Sequence, residues 1–234
     1  MPIIAAEQLT KTYRAGDVDV PAVRGVTFDV EEGSFVSFVG PSGSGKSTLL
    51  NMIGCLDRPT SGSLRVLDTD VASLDRRASA AFRGRNIGFI FQDFNLVPVL
   101  TVYENVEYPL IMVQSWPAQK RRDRVLSLLE AVRMADQAGK RPDQISGGQK
   151  QRVAVARALA PEAKLVLADE PTANLDSETA HRVIDLMKRL RDELGVTFVF
   201  STHDPKVMAE AEVTFHLLDG AITEREERRA AQHA

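Results

Sequence analysis

The sequence is poor in cysteine, in charge of one sign and in long apolar runs, and each shortage closes off a class of protein. Cys55 is the single cysteine, so an intrachain disulfide is excluded. It follows an apolar stretch and reads as a reduced, buried thiol. Lys and Arg number 29 against 32 Asp and Glu, a formal net charge of −3, which gives no electrostatic case for binding nucleic acid. No apolar run approaches the ~20 residues that a membrane-spanning helix needs. The first residues, Met1 to Glu7, lack the basic segment and long apolar core of a signal peptide. Internal repeats and low-complexity linkers are missing too. What remains is 234 residues with 44% hydrophobic and 26% charged side chains, enough for one large domain or a core with a subdomain. These bounds point to a cytoplasmic protein and leave a membrane-bound partner open.

Against that background one stretch stands out. Gly40-Pro41-Ser42-Gly43-Ser44-Gly45-Lys46-Ser47 fits the phosphate-loop pattern G-x-x-x-x-G-K-[ST] without a gap. The apolar run Ser34–Val39 before it reads as a strand, and Thr48–Ile53 after it reads as a helix. Strand, glycine loop and helix are the context the pattern requires. Glycines let successive backbone N–H groups turn towards phosphate oxygens, and the helix beginning near Lys46 adds the positive end of its dipole. Lys46 is placed to reach the β- and γ-phosphates of a nucleotide, and the Ser47 hydroxyl to ligate Mg²⁺.

Upstream, Ile3–Leu9 and Ala22–Val30 read as strands, with Tyr13 in the turn region between them and Glu31-Glu32-Gly33 turning into the next strand. Leu64–Leu67 predicts a short strand, followed by a helix from Leu74 to Arg83. Ile87–Phe91 predicts a buried strand with Gln92 at its end. From residue 93 to about 161 helical periods take over. Val125, Leu128, Leu129 and Val132 share one face, Trp116-Pro117 marks where that helix begins, and the basic cluster around Arg121 and Arg122 reads as a solvated face rather than a nucleic-acid patch. Strand patterns return at Lys164–Ala168. Ser177 is predicted to cap a helix that buries Val183, Ile184, Met187, Leu190 and Leu194 and stops at Gly195. Val196–Phe200 is the next strand. Val213–Leu218 and Ala221–Thr223 form a hairpin around Asp219-Gly220, and residues 224–234 form a charged, frayed tail.

Two further stretches carry chemistry. Leu165–Ala168 delivers Asp169 and Glu170 to a strand's C-terminal end, where open α/β sheets bind ligands. Asp169 is expected to hold Mg²⁺ through its water shell, and Glu170 to polarise the attacking water as general base. Ile145-Ser146-Gly147-Gly148-Gln149 precedes an amphipathic helix and makes a second anion-binding helix terminus.

Ser-Gly-Gly-Gln before this helix, with the phosphate loop upstream and Leu-Ala-Asp-Glu-Pro downstream, resembles the signature of the ATP-binding-cassette family across nearly the whole chain. Ile145 stands where the family usually has leucine. The resemblance implies an α/β fold: a P-loop NTPase (RecA-like) core with an antiparallel β subdomain over 1–92 and 162–223, and an inserted helical subdomain over 93–161. It implies ATP and Mg²⁺ as ligands and ATP hydrolysis as the activity. Tyr13 resembles the aromatic that stacks on adenine. Gln92 resembles the glutamine that touches Mg²⁺ and the attacking water, and His203 the histidine that contacts the γ-phosphate. Asn174-Leu175-Asp176 resembles the loop that crosses a dimer interface. Gly40 to Thr48, with Lys46 and Ser47 among them, hold the phosphates. Ser146, Gly147, Gly148 and Gln149 act on the nucleotide of a second copy in a head-to-tail dimer.

Within the family, Met52–Gly62, Ile87–Pro98 and Thr101–Leu110 are similar to the lipoprotein-release and macrolide-export ATPases, the LolD/MacB-like branch to which the cell-division ATPase FtsE is a cousin. Asp93 stands where relatives often carry a second glutamine. The branch implies an integral membrane permease as partner, docked by a short helix along residues from about Asp93 to Met112. It also implies a place on the cytoplasmic face of the inner membrane. Competing classes are a soluble cassette acting on ribosomes, on DNA or in cell division, and a phosphate-loop kinase or GTPase. The single cassette and short insertion weigh against the ribosome and DNA readings, and Ser-Gly-Gly-Gln with His203 against the kinase or GTPase.

Overall fold

The structure, a computed structural model, describes residues 2–228. The chain runs through β1 (Pro2–Ala15), β2 (Val18–Glu31), β3 (Phe35–Val39), α1 (Lys46–Ile53), β4 (Ser61–Val66) and β5 (Thr69–Asp70). Next come α2 (Arg76–Asn86), β6 (Ile87–Ile90), α3 (Val102–Met112), α4 (Ala118–Ala131), α5 (Gly147–Leu159) and β7 (Leu165–Asp169). The last elements are α6 (Ser177–Leu194), β8 (Thr197–Thr202), α7 (Pro205–Met208), β9 (Val213–Leu218) and β10 (Ala221–Glu227). Two compact units result: Met1–Ala80 with Thr197–Ala234, and Ala81–Val196. Among the described residues no helix is long and apolar enough to cross a membrane.

The first unit holds two sheets. One is antiparallel, in the order β2-β1-β4-β5. β1 is longer than the predicted strand. A bulge at Gln8, with φ +47°, absorbs the irregularity, and the ladder continues to Arg14 opposite Asp19. Tyr13 therefore lies within β1, opposite Val20, and not in a turn. In the other sheet β3 runs parallel to both β8 and β9. A strand flanked on both sides and covered on both faces reads as a near-continuous apolar run, and all five residues of β3 are buried. Its one polar member, Ser37, is satisfied by Thr214 Oγ1 at 3.0 Å. Phe28, Phe38 and Phe215 pack with centroids 5.3–5.5 Å apart, an arrangement that adds about 0.5–1.5 kcal/mol per pair to simple burial.

β10 extends the expected hairpin. Asp219 (φ +49°) and Gly220 (φ +81°) make the turn, as their residue types require. The strand then continues through residues expected in a frayed tail: Glu224 pairs with His216 and Glu227 with Val213. Alternation is the reason. Glu226 reaches His216 Nε2 at 3.0 Å, while the Arg225 guanidinium lies 5.6 Å from the centre of the Phe215 ring and engages Asp29. The rest of that tail, 229–234, lies outside the described residues.

The second unit pairs β6 with β7 in parallel and packs helices around them. Among the described residues, 93–161 carry helices and turns only. α3 opens with a reciprocal cap, Thr101 Oγ1 accepting from Glu104 N and Glu104 from Thr101 N. α4 buries Val125, Leu128 and Leu129 as the periodicity predicts. Arg121 in its basic cluster is paired with Glu107 at 2.8 Å. α6 differs from expectation at both ends. Asp176, not Ser177, is its N-cap, accepting from Thr179 N at 3.0 Å. Val183, Ile184, Met187 and Leu190 are fully buried, but Leu194 is 41% exposed, because the last turn runs past its packing partners before Gly195 (φ +64°) ends the helix. α2, by contrast, starts later than expected, at Arg76, where Asp75 Oδ1 accepts from Ala78 N.

Candidate active site

The phosphate loop belongs to the first unit, between β3 and α1. Three of its glycines act differently. A Cβ on Gly40 would stand 2.1 Å from the Leu217 carbonyl oxygen, and one on Gly45 2.4 Å from that of Ala22. Both positions need glycine because the loop is pressed onto neighbouring strands. Gly43 has φ +81°, and a Cβ there would meet nothing within 4 Å, so its conformation alone selects glycine and its outer side is open to a ligand. The β9–β10 turn braces the loop from behind: Gly220 N donates to Ser44 O at 3.1 Å, and Arg24 N donates to Gly220 O at 2.7 Å.

Two side chains in the loop have unusual surroundings. Lys46 is 7% exposed, and its ammonium donates to the carbonyls of Gly40 (2.8 Å) and Pro41 (3.0 Å). An ammonium has three donors, so this geometry keeps the charge inside the loop with one donor to spare. The Ser44 hydroxyl is buried without a hydrogen-bond partner, a condition that costs about 1–3 kcal/mol and that a bound oxyanion would relieve. Loop conformation, buried cation and unpartnered hydroxyl all fit phosphate.

Tyr13 is anchored by a cluster that the sequence did not reveal. Its hydroxyl donates to Asp57 Oδ2 at 2.8 Å, Lys11 Nζ pairs with Asp57 Oδ1 at 2.5 Å, and the same ammonium lies 4.9 Å from the centre of the Tyr13 ring. Burial pushes the Tyr13 hydroxyl pKa up, Thr48 counters with a hydrogen bond, and Asp57 adds to the rise. Burial alone would raise the Asp57 carboxyl, but the bonds from Lys11, Tyr13 and Arg58 N outweigh it and hold that carboxyl below its ordinary value. Tyr13 keeps 38% of its surface exposed, so a ring fixed at its hydroxyl end presents a face to solvent. His203, also in this unit, follows β8 and is exposed, beside Asp204, whose carboxylate caps α7.

The second unit carries the remaining positions. β7 delivers Asp169 and Glu170, both half-buried. Glu170 sits at φ +48°, the left-handed region that costs a non-glycine residue of order 1–3 kcal/mol and that clusters at functional sites. Gln92 is exposed at the end of β6. Its carbonyl accepts from Asn174 Nδ2 at 3.0 Å, and the same amide donates to Asp93 Oδ1 at 3.0 Å. Asn174 thus ties the Gln92 segment to the loop leading to Asp176. Asp93, the position that departs from relatives, supplies the acceptor. Nothing local signals this pairing, because the partners lie 81 and 82 residues apart. Arg157 secures the following turn by donating to the Phe94 and Asn95 carbonyls, both residues lying at positive φ. Burial lowers the Arg157 pKa.

Ser146 and Gln149 are engaged with each other at the start of α5. Ser146 N donates to Gln149 Oε1 at 2.8 Å, and Gln149 N to Ser146 Oγ at 3.3 Å. The two glycines between them separate in role. A Cβ on Gly148 would stand 2.4 Å from Thr179 Cγ2, whereas on Gly147 it would meet only ordinary contacts. Gly148 therefore lets α5 approach α6. The Asp176 carboxyl is held low by its hydrogen bonds from Thr179. Ile145 is 7% exposed, so the leucine-to-isoleucine departure is a packing substitution.

Residues 23–173, most of the chain, match the ABC transporter family. The chain belongs to that family. It is 47% identical to an uncharacterised ABC transporter ATP-binding protein of Thermotoga maritima, over 93% of this chain and 92% of that one. It is 45% identical to the lipoprotein-releasing system ATP-binding protein LolD of Anaeromyxobacter dehalogenans, over 94% and 92%. Its 46% identity to the macrolide export ATP-binding/permease protein MacB of Syntrophobacter fumaroxidans covers 95% of this chain but 31% of that longer protein. In structure the cassette is similar to MJ0796, solved as a dimer in a post-hydrolysis state with ADP and Pi, with a TM-score of 0.88 at 43% identity over 97% of this chain and 99% of that one. The α/β fold is thus that of an ABC ATPase cassette, and ATP is the substrate that the family hydrolyses.

Proposed function

We propose that this ABC cassette is the ATP-hydrolysing subunit that drives a separate membrane permease, as a transporter motor or a mechanotransmission subunit, and that it works as a head-to-tail dimer around two MgATP. The observation that carries the reading is the phosphate loop, whose buried Lys46 and unpartnered Ser44 hydroxyl suit an oxyanion. Backbone N–H groups from Gly40 through Thr48, with Pro41 and Ser42 shaping the turn, cradle the phosphates. Lys46 turns its remaining donor to the β- and γ-phosphates, and Tyr13 offers its exposed ring to the base.

The donors proposed for the metal, the Ser47 hydroxyl, the Gln92 amide oxygen and the Asp169 carboxylate, are all oxygens, the set that Mg²⁺ prefers. When bound, Mg²⁺ neutralises charge on the β- and γ-phosphates. Glu170 accepts a proton from the attacking water, its aim set by the strained backbone that carries it. His203 donates to the γ-phosphate. Ser146, Gly147, Gly148 and Gln149 close the nucleotide of the second copy, and Asp176 marks the loop at that interface.

Residues 93–161 form the helical arm, on which the permease is proposed to dock. A groove of about 310 Å³, lined in part by Phe89, Phe91, Tyr108 and Val113, lies in the second unit. Tyr108, Met112 and Val113 are 45%, 63% and 44% exposed, an apolar surface suited to a short permease helix. Such docking puts the cassette on the cytoplasmic face of the inner membrane.

Glu170→Gln tests the reading. The variant keeps MgATP binding, loses hydrolysis by at least ~10²-fold and runs as a dimer with ATP in gel filtration. A variant that hydrolyses normally, or stays monomeric with ATP bound, refutes the general-base and sandwich assignments respectively.

A further inference from the structure

A second concave site lies among the helices of the second unit, built from residues that none of the nucleotide roles uses. It has a volume of about 240 Å³. Val132 and Leu186, both nearly inaccessible, form its apolar floor. Around them stand Arg133 just after α4, Arg152 on α5, and Arg182 and Arg189 on α6, with Asp185 as the single acid. Four guanidinium charges less one carboxylate leave a formal charge of +3 in the pocket lining.

Glu178 and Glu193, outside the lining, offset two of these charges and leave +1, with Arg133 and Arg152 carrying the excess. Arg182 pairs with Glu178 along the exposed side of α6, and Arg189 reaches Glu193 only at 4.0 Å while donating to the Ala131 carbonyl at 2.5 Å. Among the described residues Arg133 and Arg152 form no ion pair, and Asp185 forms none with the arginines beside it. Arg133 is held at φ +57°, so the chain places its side chain here from a conformation that its residue type disfavours. Like charges gathered over an apolar floor repel each other, and the arrangement lowers its energy by taking up an anion. Guanidinium groups match phosphate oxygens in pairs. The volume falls below the ~300 Å³ at which sites for drug-sized ligands begin, too small to enclose a whole nucleotide.

We propose that this pocket binds a small phosphate-bearing polyanion of about pyrophosphate size. Such a ligand bridges α5, which begins at the Ser146–Gln149 turn, to α6, which begins at Asp176. It thereby clamps together the two helices whose starting turns carry nucleotide-site assignments.

Isothermal titration with inorganic pyrophosphate tests this on the full chain saturated with ADP, so that the phosphate loop is already filled. One equivalent binds. Arg152→Gln with Arg182→Gln lowers that affinity at least ~10-fold, the loss of one charge-assisted hydrogen bond or more, with ADP affinity and the circular dichroism spectrum unchanged. Asp185→Asn tightens binding by removing the one carboxylate of the pocket lining. Arg182→Gln alone, altering an exposed side chain whose surface pair with Glu178 is worth little, gives a smaller loss of the same sign. Equal pyrophosphate affinity in wild type and the double variant overturns the proposal, as does weaker binding in Asp185→Asn. Binding to phosphatidylglycerol vesicles that depends on the arginines, with no response to pyrophosphate, also overturns it and makes the patch a lipid contact.

Discussion

Replacing Gly148 with alanine isolates one contact whose consequence can be worked out in advance. The added methyl would lie 2.4 Å from Thr179 Cγ2, roughly 1 Å inside the ~3.5 Å at which carbon atoms attract. Both helices are packed, so the clash is relieved by shifting α5 from α6, at about 1–3 kcal/mol. Alanine returns up to ~1 kcal/mol of helix propensity, so net destabilisation is about 0–3 kcal/mol. For a chain of this length that lowers the melting temperature by roughly 2–4 °C per kcal/mol. Thr179→Ser removes the offending methyl and leaves Cβ at 3.8 Å and Oγ1 at 4.0 Å from the new methyl. It also keeps the hydroxyl that bonds Asp176. The double variant therefore recovers wild-type stability, and a double-mutant cycle by thermal and urea melts gives a favourable coupling of about 1–3 kcal/mol. If the cycle shows no favourable coupling between Gly148→Ala and Thr179→Ser, the packing argument is wrong. If stability returns and ATP hydrolysis does not, Gly148 also serves the nucleotide of the second copy.

Lys46→Ala loses most ATP affinity, since the buried ammonium is the loop's one fixed positive charge; equilibrium binding of a fluorescent nucleotide that matched wild type would misplace the site. Asp57→Asn removes the acceptor that orders Lys11 and Tyr13. Because the folded carboxyl titrates below its unfolded value of about 3.9, its contribution is complete above that pH and disappears as pH falls through the folded pKa. The wild type then melts higher than Asp57→Asn at pH 5–7, and the gap closes as pH falls below the unfolded carboxyl value of about 3.9 and through the lower folded one. A gap independent of pH would show that the carboxylate's charge is not what matters.

Much of this cassette is set by short stretches acting on themselves. The glycines before Lys46 select a turn that few other residues can follow, the apolar run of β3 demands burial on both faces, and Ser146 with Gln149 caps a helix within four residues. Such features need only neighbours in the chain, which is why the phosphate loop, the acidic end of β7 and the terminal hairpin were legible from the residues alone. Even so, local signals fixed boundaries loosely. Asp176 and Ser177 are both good caps, and backbone dihedrals chose the first. Leu194 keeps the helical stripe of Leu190, yet the packing beneath it has ended. Only the path of the backbone through space could join Tyr13 to Asp57, Asn174 to Asp93, and Gly148 to Thr179, or gather arginines from two helices and a turn around one pocket. Each of those contacts depends on where distant segments come to rest, and the energy deciding that is the burial of the whole core rather than the preference of any one stretch.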